Sequence, residues 1–330
     1  MSLDFGNGVD SVKITVLSNN TTDLTLRTDA RFKGKVIQPT ISVVNAIAEH
    51  ALAMSIEVNG TNILYDFGGM GLAILKNLEI LNVKPENFQK AVLSHGHFDH
   101  FGTIFKLLPL MGPNKEIIVE PNIFKQKVVA LGEAGEIIDI NTLRENYRAL
   151  KKAKKVRELP GLRKNLLEKL TLDNQQTLIE TSEPIELAPG VWTSGEIELL
   201  DKSELTSNLF LKIDKTTFEE ESFRDEIAIY IKVKNKGLIV LTGCGHTGMI
   251  NTIKYGQKLS GVDKIYAVIG GFHLNWATEE QLDKVVNYFN ELKPEIICGM
   301  HCTGFKFNVK LFSKMPDNAT LGLVGTKFIL

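Results

Sequence analysis

The sequence predicts a layered α/β fold in which two β-sheets pack together with helices outside. Three observations carry that expectation. Apolar, strand-like runs alternate with helix-period stretches; each half of the chain contains a strong hairpin followed by α/β alternation; and the second half repeats the style of the first. At 330 residues and 43% hydrophobic content, the chain can bury a well-filled core.

Taken in order, residues 11–18 and 52–66 read as strands, the latter as LAMSIEV and NILYDFG joined at Asn59-Gly60, a dipeptide suited to a tight hairpin. Residues 71–82 read as a helix, KAVLS as a short buried strand after Pro85, and a further helix is expected to run to about Leu110. EIIV at 116–119 is the next strand. Residues 121–175 break the rhythm with a polar, helix-prone stretch, expected as a helical insertion covering one end of a single 1–330 domain. Leu162, Leu166, Leu167 and Leu170 should share its packed face. Between Arg144 and Leu170 ten Lys or Arg stand against three Glu, either a solvated helix face or a cationic rim for an anionic substrate. EIAIYIKV and GLIVLTG form the second hairpin, followed by a helix near 247–259, the strand KIYAVIGG, a helix near 278–292, the strand EIICGM, and a tail of LGLV and KFIL.

Composition narrows the function classes. With 38 Lys plus Arg against 39 Asp plus Glu, the formal charge of −1 argues against a globally basic nucleic-acid binder. No apolar run reaches membrane-spanning length, and MSLDFGNGVD lacks the basic and apolar regions of a secretory signal. Three cysteines, Cys244, Cys298 and Cys302, are few and odd in number, which fits a reducing compartment, so a cytoplasmic enzyme is expected. Cys298, inside an apolar run, reads as a small buried hydrophobe. The oligomeric state stays open, a homo-oligomer included.

The densest chemical signal is AVLSHGHFDHFG at 91–102, where His95, His97, Asp99 and His100 crowd into six positions after a strand. In extended chain His95, His97 and Asp99 share a face; His100 leaves that period, so the chain must turn. Such a turn aims His95 and His97 at one cation and Asp99 and His100 at a neighbouring one. Three of the other histidines, His246, His273 and His301, end strand-like runs before Gly-rich loops, where α/β proteins place chemistry. His50 has no such context. Asp66, closing NILYDFGG, is either a carboxylate that orients a ligating imidazole or an ordinary turn residue. Thr247 and Gly248, at a helix start, offer backbone N–H groups to a phosphate, with a plain N-cap as the other explanation.

With its H-x-H-x-D-H signature at His95–His100, the chain resembles the metallo-β-lactamase superfamily. That resemblance implies a four-layer αββα sandwich with metals at one edge of the paired sheets, most naturally one or two zinc ions. LTGCGHTGMINTI, GGFHL and GMHCTG are similar to its dihydropteroate-synthase-like branch. Carried over, this makes His246 and His301 the later metal ligands, Cys244 a substitute for a bridging Asp, and His273 a ligand or substrate contact. Asp99 and His273 are the catalytic candidates. The glyoxalase II pattern has a further histidine where this chain has none between His100 and His246. Thr193-Ser194-Gly195-Glu196 stands at that relative's Thr-Pro-Gly-His turn, so Glu196 is a candidate ligand, one that would favour manganese or iron alongside zinc.

The resulting expectation is a metal-dependent enzyme acting on a small anionic substrate, phosphorylated or pterin-like, as a pterinylmethyl transferase or a hydrolase. The competing classes are a metal-dependent nuclease or phosphodiesterase, motivated by the basic segment, and a non-enzymatic metal or redox protein, for which no appended flavin domain is visible.

Overall fold

The structure, a computed structural model, describes residues 2–71, 73–132, 138–205, 209–214 and 217–330. An eight-stranded and a six-stranded sheet lie face to face. The alternation of side chains along each strand explains why they do. Ile63 and Tyr65 face the core between the sheets while Leu64 faces the outer helices; Ile239 and Leu241 do the same against Leu238 and Val240. Three apolar layers therefore separate four layers of secondary structure. The outer layer on the first sheet contains Ala73–Ile80, Ile104–Met111 and Lys164–Asp173, packed through Ile74, Leu107 and Leu167. The second sheet is covered by Met249–Ser260, Glu279–Leu292 and Phe305–Lys314, packed through Ile253, Phe289 and Phe307. Cys298 lies fully buried in the central layer.

The hairpin Ala53–Val58 and Thr61–Tyr65 turns at Asn59 and Gly60, both with positive φ (49° and 78°), as its twist requires. From Thr61–Tyr65 the first sheet runs parallel through Lys90–Val92, Glu116–Val119 and Thr177–Glu180. The second runs parallel through Gly237–Thr242, Ile265–Gly271 and Ile296–Met300. Parallel strands place their carboxyl ends on one edge, and the histidine-bearing loops leave from that edge.

The 121–175 stretch departs from its helical expectation. Beside the helices Ile140–Lys152 and Lys164–Asp173 it contains the strands Gln126–Ala130 and Val156–Glu158. Leu209–Lys212 and Phe218–Glu220 join them in a separate four-stranded sheet with its own core around Val128, Tyr147, Phe210 and Phe218. Residues 133–137 of the stretch lie outside the described residues. Leu162 and Leu167 are buried as expected, whereas Leu166 is exposed. Two tail elements also differ: LGLV forms no strand, and Phe305–Lys314 is a helix where the sequence pattern announced none. Among the described residues, no helix is long and apolar enough to cross a membrane.

Candidate metal centre

The hexad begins immediately past Lys90–Val92, and a short helix, Phe98–Phe101, supplies the turn that the spacing demanded. His95 Nε2 lies 2.9 Å from His97 Nδ1, and His246 Nε2 lies 3.1 Å from the same atom. Burial keeps all three rings neutral: His97 falls to about 3, and His95 and His246 fall well below the usual imidazole value. Three ring nitrogens thus face one point. A proton on one of them can bridge only one gap at a time, whereas a cation accepts all three lone pairs.

A second group adjoins the first. Asp99 Oδ2 is 3.2 Å from His301 Nε2, which is 3.3 Å from His100 Nε2. Although burial opposes it, hydrogen bonds from His301 and His50 hold the Asp99 carboxyl well below the usual carboxylate range. Cys244 Sγ lies 3.1 Å from His100 Nε2, and its sulfur belongs to donor groups with His95 and His100, with His246 and His273, and with His301 and Cys302.

Outer contacts fix which nitrogens face inward. Asp66 accepts from Ser94 N at 2.7 Å, from Ser94 Oγ at 2.8 Å and from His100 Nδ1 at 2.6 Å. Having donated to Asp66, Ser94 Oγ accepts from His95 Nδ1 at 2.8 Å. His301 Nδ1 donates to Asn20 Oδ1 at 2.9 Å. Each outer nitrogen therefore carries a proton and each Nε2 faces inward; on His95, kept neutral by burial, that Nε2 has a free lone pair, whereas on His100 it holds a proton that a cation must displace. Burial works against a charged His100, but Asp66 outweighs it and lifts the imidazole to about 9. His246 is oriented by stacking instead, with the Phe223 ring 4.2 Å away and nearly parallel.

The backbone is held in unusual conformations around this cluster. Asp66, Phe223, His273 and His301 all have positive φ, between 44° and 65°, each costing on the order of 1–3 kcal/mol. Gly243 is required for close approach, because a Cβ there would lie 2.1 Å from Ser94 Oγ. Beneath the H-x-H turn, Gly96 N donates to Asp225 Oδ2 at 2.8 Å, and that carboxylate pairs with the buried Lys127 of the added sheet.

The structure thus brings His95, His97, Asp99, His100, His246, His301, Cys244 and Asp66 together, with His273 beside His246 at a ring separation of 3.9 Å. Two expectations need correction. Glu196 stands in none of the donor groups; both its oxygens accept from Arg224, at 2.7 and 2.9 Å, and His246 completes the trio with His95 and His97 instead. The case for manganese or iron rested on that carboxylate and goes with it. Thr247 and Gly248 do not present free N–H groups to phosphate: Glu226 accepts from Thr247 N and Oγ1, both at 2.7 Å, and Gly248 N donates to Gly245 O. One helical turn on, Asn251 N donates to Glu204. Lastly, of the two readings of the cationic 144–170 segment, the rim is not the one seen among the described residues: Leu159 is what that segment contributes to the cavity beside the metal ligands, together with Val129, Leu131 and Leu209 in or next to the added sheet.

Sequence reasoning missed His50, whose Nε2 is 3.4 Å from Asp99 Oδ2, as well as Asn20, Phe223, Asp225 and Glu226. Of these only the carboxylates carried a signal, as acids directly before a buried strand.

Comparison with known proteins identifies the family. The family model described as the metallo-beta-lactamase superfamily matches residues 48–128, which contain the whole hexad. Over 267 residues the chain is 33% identical to 7,8-dihydropterin-6-methyl-4-(beta-D-ribofuranosyl)-aminobenzene-5'-phosphate synthase of Methanocaldococcus jannaschii, covering 78% of this chain and 82% of that one. This chain belongs to the metallo-β-lactamase superfamily. An uncharacterised protein of the same archaeon is 29% identical over 88% of this chain and 97% of its own. Among solved structures, a metal-dependent hydrolase of the β-lactamase superfamily aligns with a TM-score of 0.67 and 22% identity, over 96% of this chain and 98% of that one. The fold is thereby matched over 96% of this chain.

Proposed function

We propose that the protein is a metal-dependent enzyme that uses one or two divalent cations, zinc by preference, to act on a small phosphorylated or pterin-like substrate, transferring a pterinylmethyl group or hydrolysing the substrate. The observation that carries this reading is the donor trio His95/His97/His246 adjoining the run of Asp99, His301 and His100, in which His301 Nε2 is 3.2 Å from Asp99 and 3.3 Å from His100, with Cys244 3.1 Å from His100, beside a cavity of about 1000 Å³. Imidazole and thiol donors suit zinc better than a hard cation. Pterinylmethyl transfer is the first choice because the 33%-identical relative carries a pterin-related synthase name. No Lys or Arg lines the cavity among the described residues, so a polyanionic nucleic acid has little to hold it there.

When bound, the cations supply Lewis-acid chemistry, neutralising charge that develops on a substrate oxygen. The chain's own groups do the rest. Asp66 and Ser94 fix the imidazoles, and Asn20 fixes His301. Asp99, linked to His50 at the cavity lining, orients the attacking group. His273, which lines the same cavity, contacts the substrate.

The test is elemental analysis of purified protein, followed by turnover of 6-hydroxymethyl-7,8-dihydropterin diphosphate with an aromatic amine and, separately, of a phosphodiester. His97→Ala should lower metal content and turnover together. Unchanged metal in that variant, or turnover independent of added metal, would refute the reading.

A further inference from the structure

The cavity beside the metal ligands is far larger than a phosphate or carbonyl group needs. Its lining joins Val129, Leu131, Leu159 and Leu209, in or next to the added sheet, with Trp276, Phe305, Val309 and Phe312, and its polar lining away from the metal ligands is uncharged, Asn275 and Asn308 among it. The second group continues outward as an exposed apolar rim, with Phe305 81%, Trp276 59% and Val309 51% accessible. A contiguous apolar surface left facing water beside a reactive centre marks a binding surface. Among the described residues the cavity has ionisable side chains only at or beside the metal ligands: His50, His97, Asp99, Cys244, His246, His273, His301 and Cys302. No lysine or arginine lines it among the described residues, so an anionic group carried away from the metal ligands would lose its hydration with no charged partner in return.

We infer that the substrate's body is uncharged and largely apolar, and that the site accepts a single anionic group at the reacting end while discriminating against a second at the far end. This deepens the proposed function and rests on it for the head group. The added four-stranded sheet acquires a role: it and the residues next to it supply four side chains of the apolar sleeve. A substrate with phosphates at both ends is disfavoured, whereas a flat aromatic or acyl body ending in one phosphoryl, diphosphate or carbonyl group is favoured.

Non-hydrolysable phosphonates test this on the zinc-loaded full chain. By calorimetry, octylphosphonate should bind at least roughly tenfold tighter than methylphosphonate, and tighter by a similar factor than 1,8-octanediylbisphosphonate, which has the same head and length but a charged far end. Phe305→Ser, at an exposed position, should shrink the octyl advantage and leave methylphosphonate unchanged. Equal or tighter binding of the bisphosphonate, or no gain from the octyl chain, overturns the inference. If none of the three binds, the metal reading of the site fails, and the sleeve is tested without it. In metal-free Trp192→Phe, where Trp276 is the one remaining tryptophan, its fluorescence should respond to 2-naphthylmethanol at concentrations at least about tenfold lower than to 2-naphthalenesulfonate. Equal or tighter binding of the sulfonate there also overturns it.

Discussion

Asp66→Asn removes one negative charge and little volume from the centre of the hydrogen-bond network, at a residue with no exposure and a φ of 65°, a conformation asparagine tolerates. In the metal-free protein its effect is legible in the pH dependence of stability. His100 rises from 6.5 to about 9 because Asp66 overcomes the effect of burial. A raised imidazole contributes stability that is fully present below the unfolded value and lost as pH rises through the folded one. Between pH 6.5 and 8.5 this single group should therefore cost the wild type about 2 kcal/mol, since each tenfold change in proton affinity is worth about 1.4 kcal/mol. His95, His97 and His246 do not mask the effect. Their lowered values mean that they lose stability on the acid side of 6.5 and are largely neutral in both states above it. Urea unfolding of chelator-treated wild type and Asp66→Asn across that window is the assay. The wild type should lose about 2 kcal/mol more than the variant. With metal present, the variant should bind about 10–100-fold more weakly, because the His100 ring is no longer oriented by a carboxylate. An identical pH slope in both proteins would refute the electrostatic argument, and wild-type metal affinity would return Asp66 to the role of a turn residue.

Two further perturbations probe buried charge around the site. Lys127→Met strands Asp225 and Glu221, whose side chains are almost wholly buried, without their shared cation. The cost should be about 3–5 kcal/mol in urea unfolding, and less than 1 kcal/mol would show that the cluster carries no net charge in the fold. Glu204 is pushed up to about 7, chiefly by burial, so its contribution is complete below the unfolded value of 4.5 and disappears as pH rises through 7. Glu204→Gln should therefore erase about 2 kcal/mol of the wild type's stability loss between pH 5 and 8, read from thermal midpoints. A variant that parallels the wild type throughout would contradict the burial of that carboxyl.

What the sequence disclosed, and what it hid, follows from the range of each interaction. The Asn59-Gly60 hairpin and the hexad are local, so a short window contains every residue that determines them. The added sheet is not local: Gln126–Ala130 pairs with Leu209–Lys212, some eighty residues away, so no short window contains both strands. Helix Phe305–Lys314 was masked by its own pattern. Phe305, Phe307 and Val309 alternate as a strand would, yet only Phe307 and Leu311, four apart, are fully buried. In the site, His95 and His97 could be placed from spacing, but the third member of their trio could not. His246 reaches His97 from 149 residues away, and the turn containing Glu196 drew attention because of a motif position rather than a contact. Asp225 and Glu226 stand at the start of a strand run, and their partners, among them the backbone N–H groups of Gly96, His246 and Thr247, lie far away in sequence or on the backbone, where no residue pattern reveals them.

The buried charges around the site give those hidden residues a common logic. Asp66, Asp99 and Asp225 are buried at or next to the donor groups, and among the described residues the one lysine buried with them, Lys127, is committed to Asp225 and Glu221. Carboxylates in a low-dielectric interior require compensation. In the metal-free protein part of it comes from the proton that Asp66 holds on His100. That same ring presents its other nitrogen to Cys244 and His301, so the proton and a cation compete for one lone pair. On the proposed metal reading, Asp66 should both orient a ligand and hold a positive charge that metal binding must displace. Metal affinity at the second donor group should therefore rise with pH, while the first trio, already neutral, should bind a cation near neutrality without that dependence. A titration of zinc affinity between about pH 6 and 9 with one flat phase and one rising phase is the expected outcome.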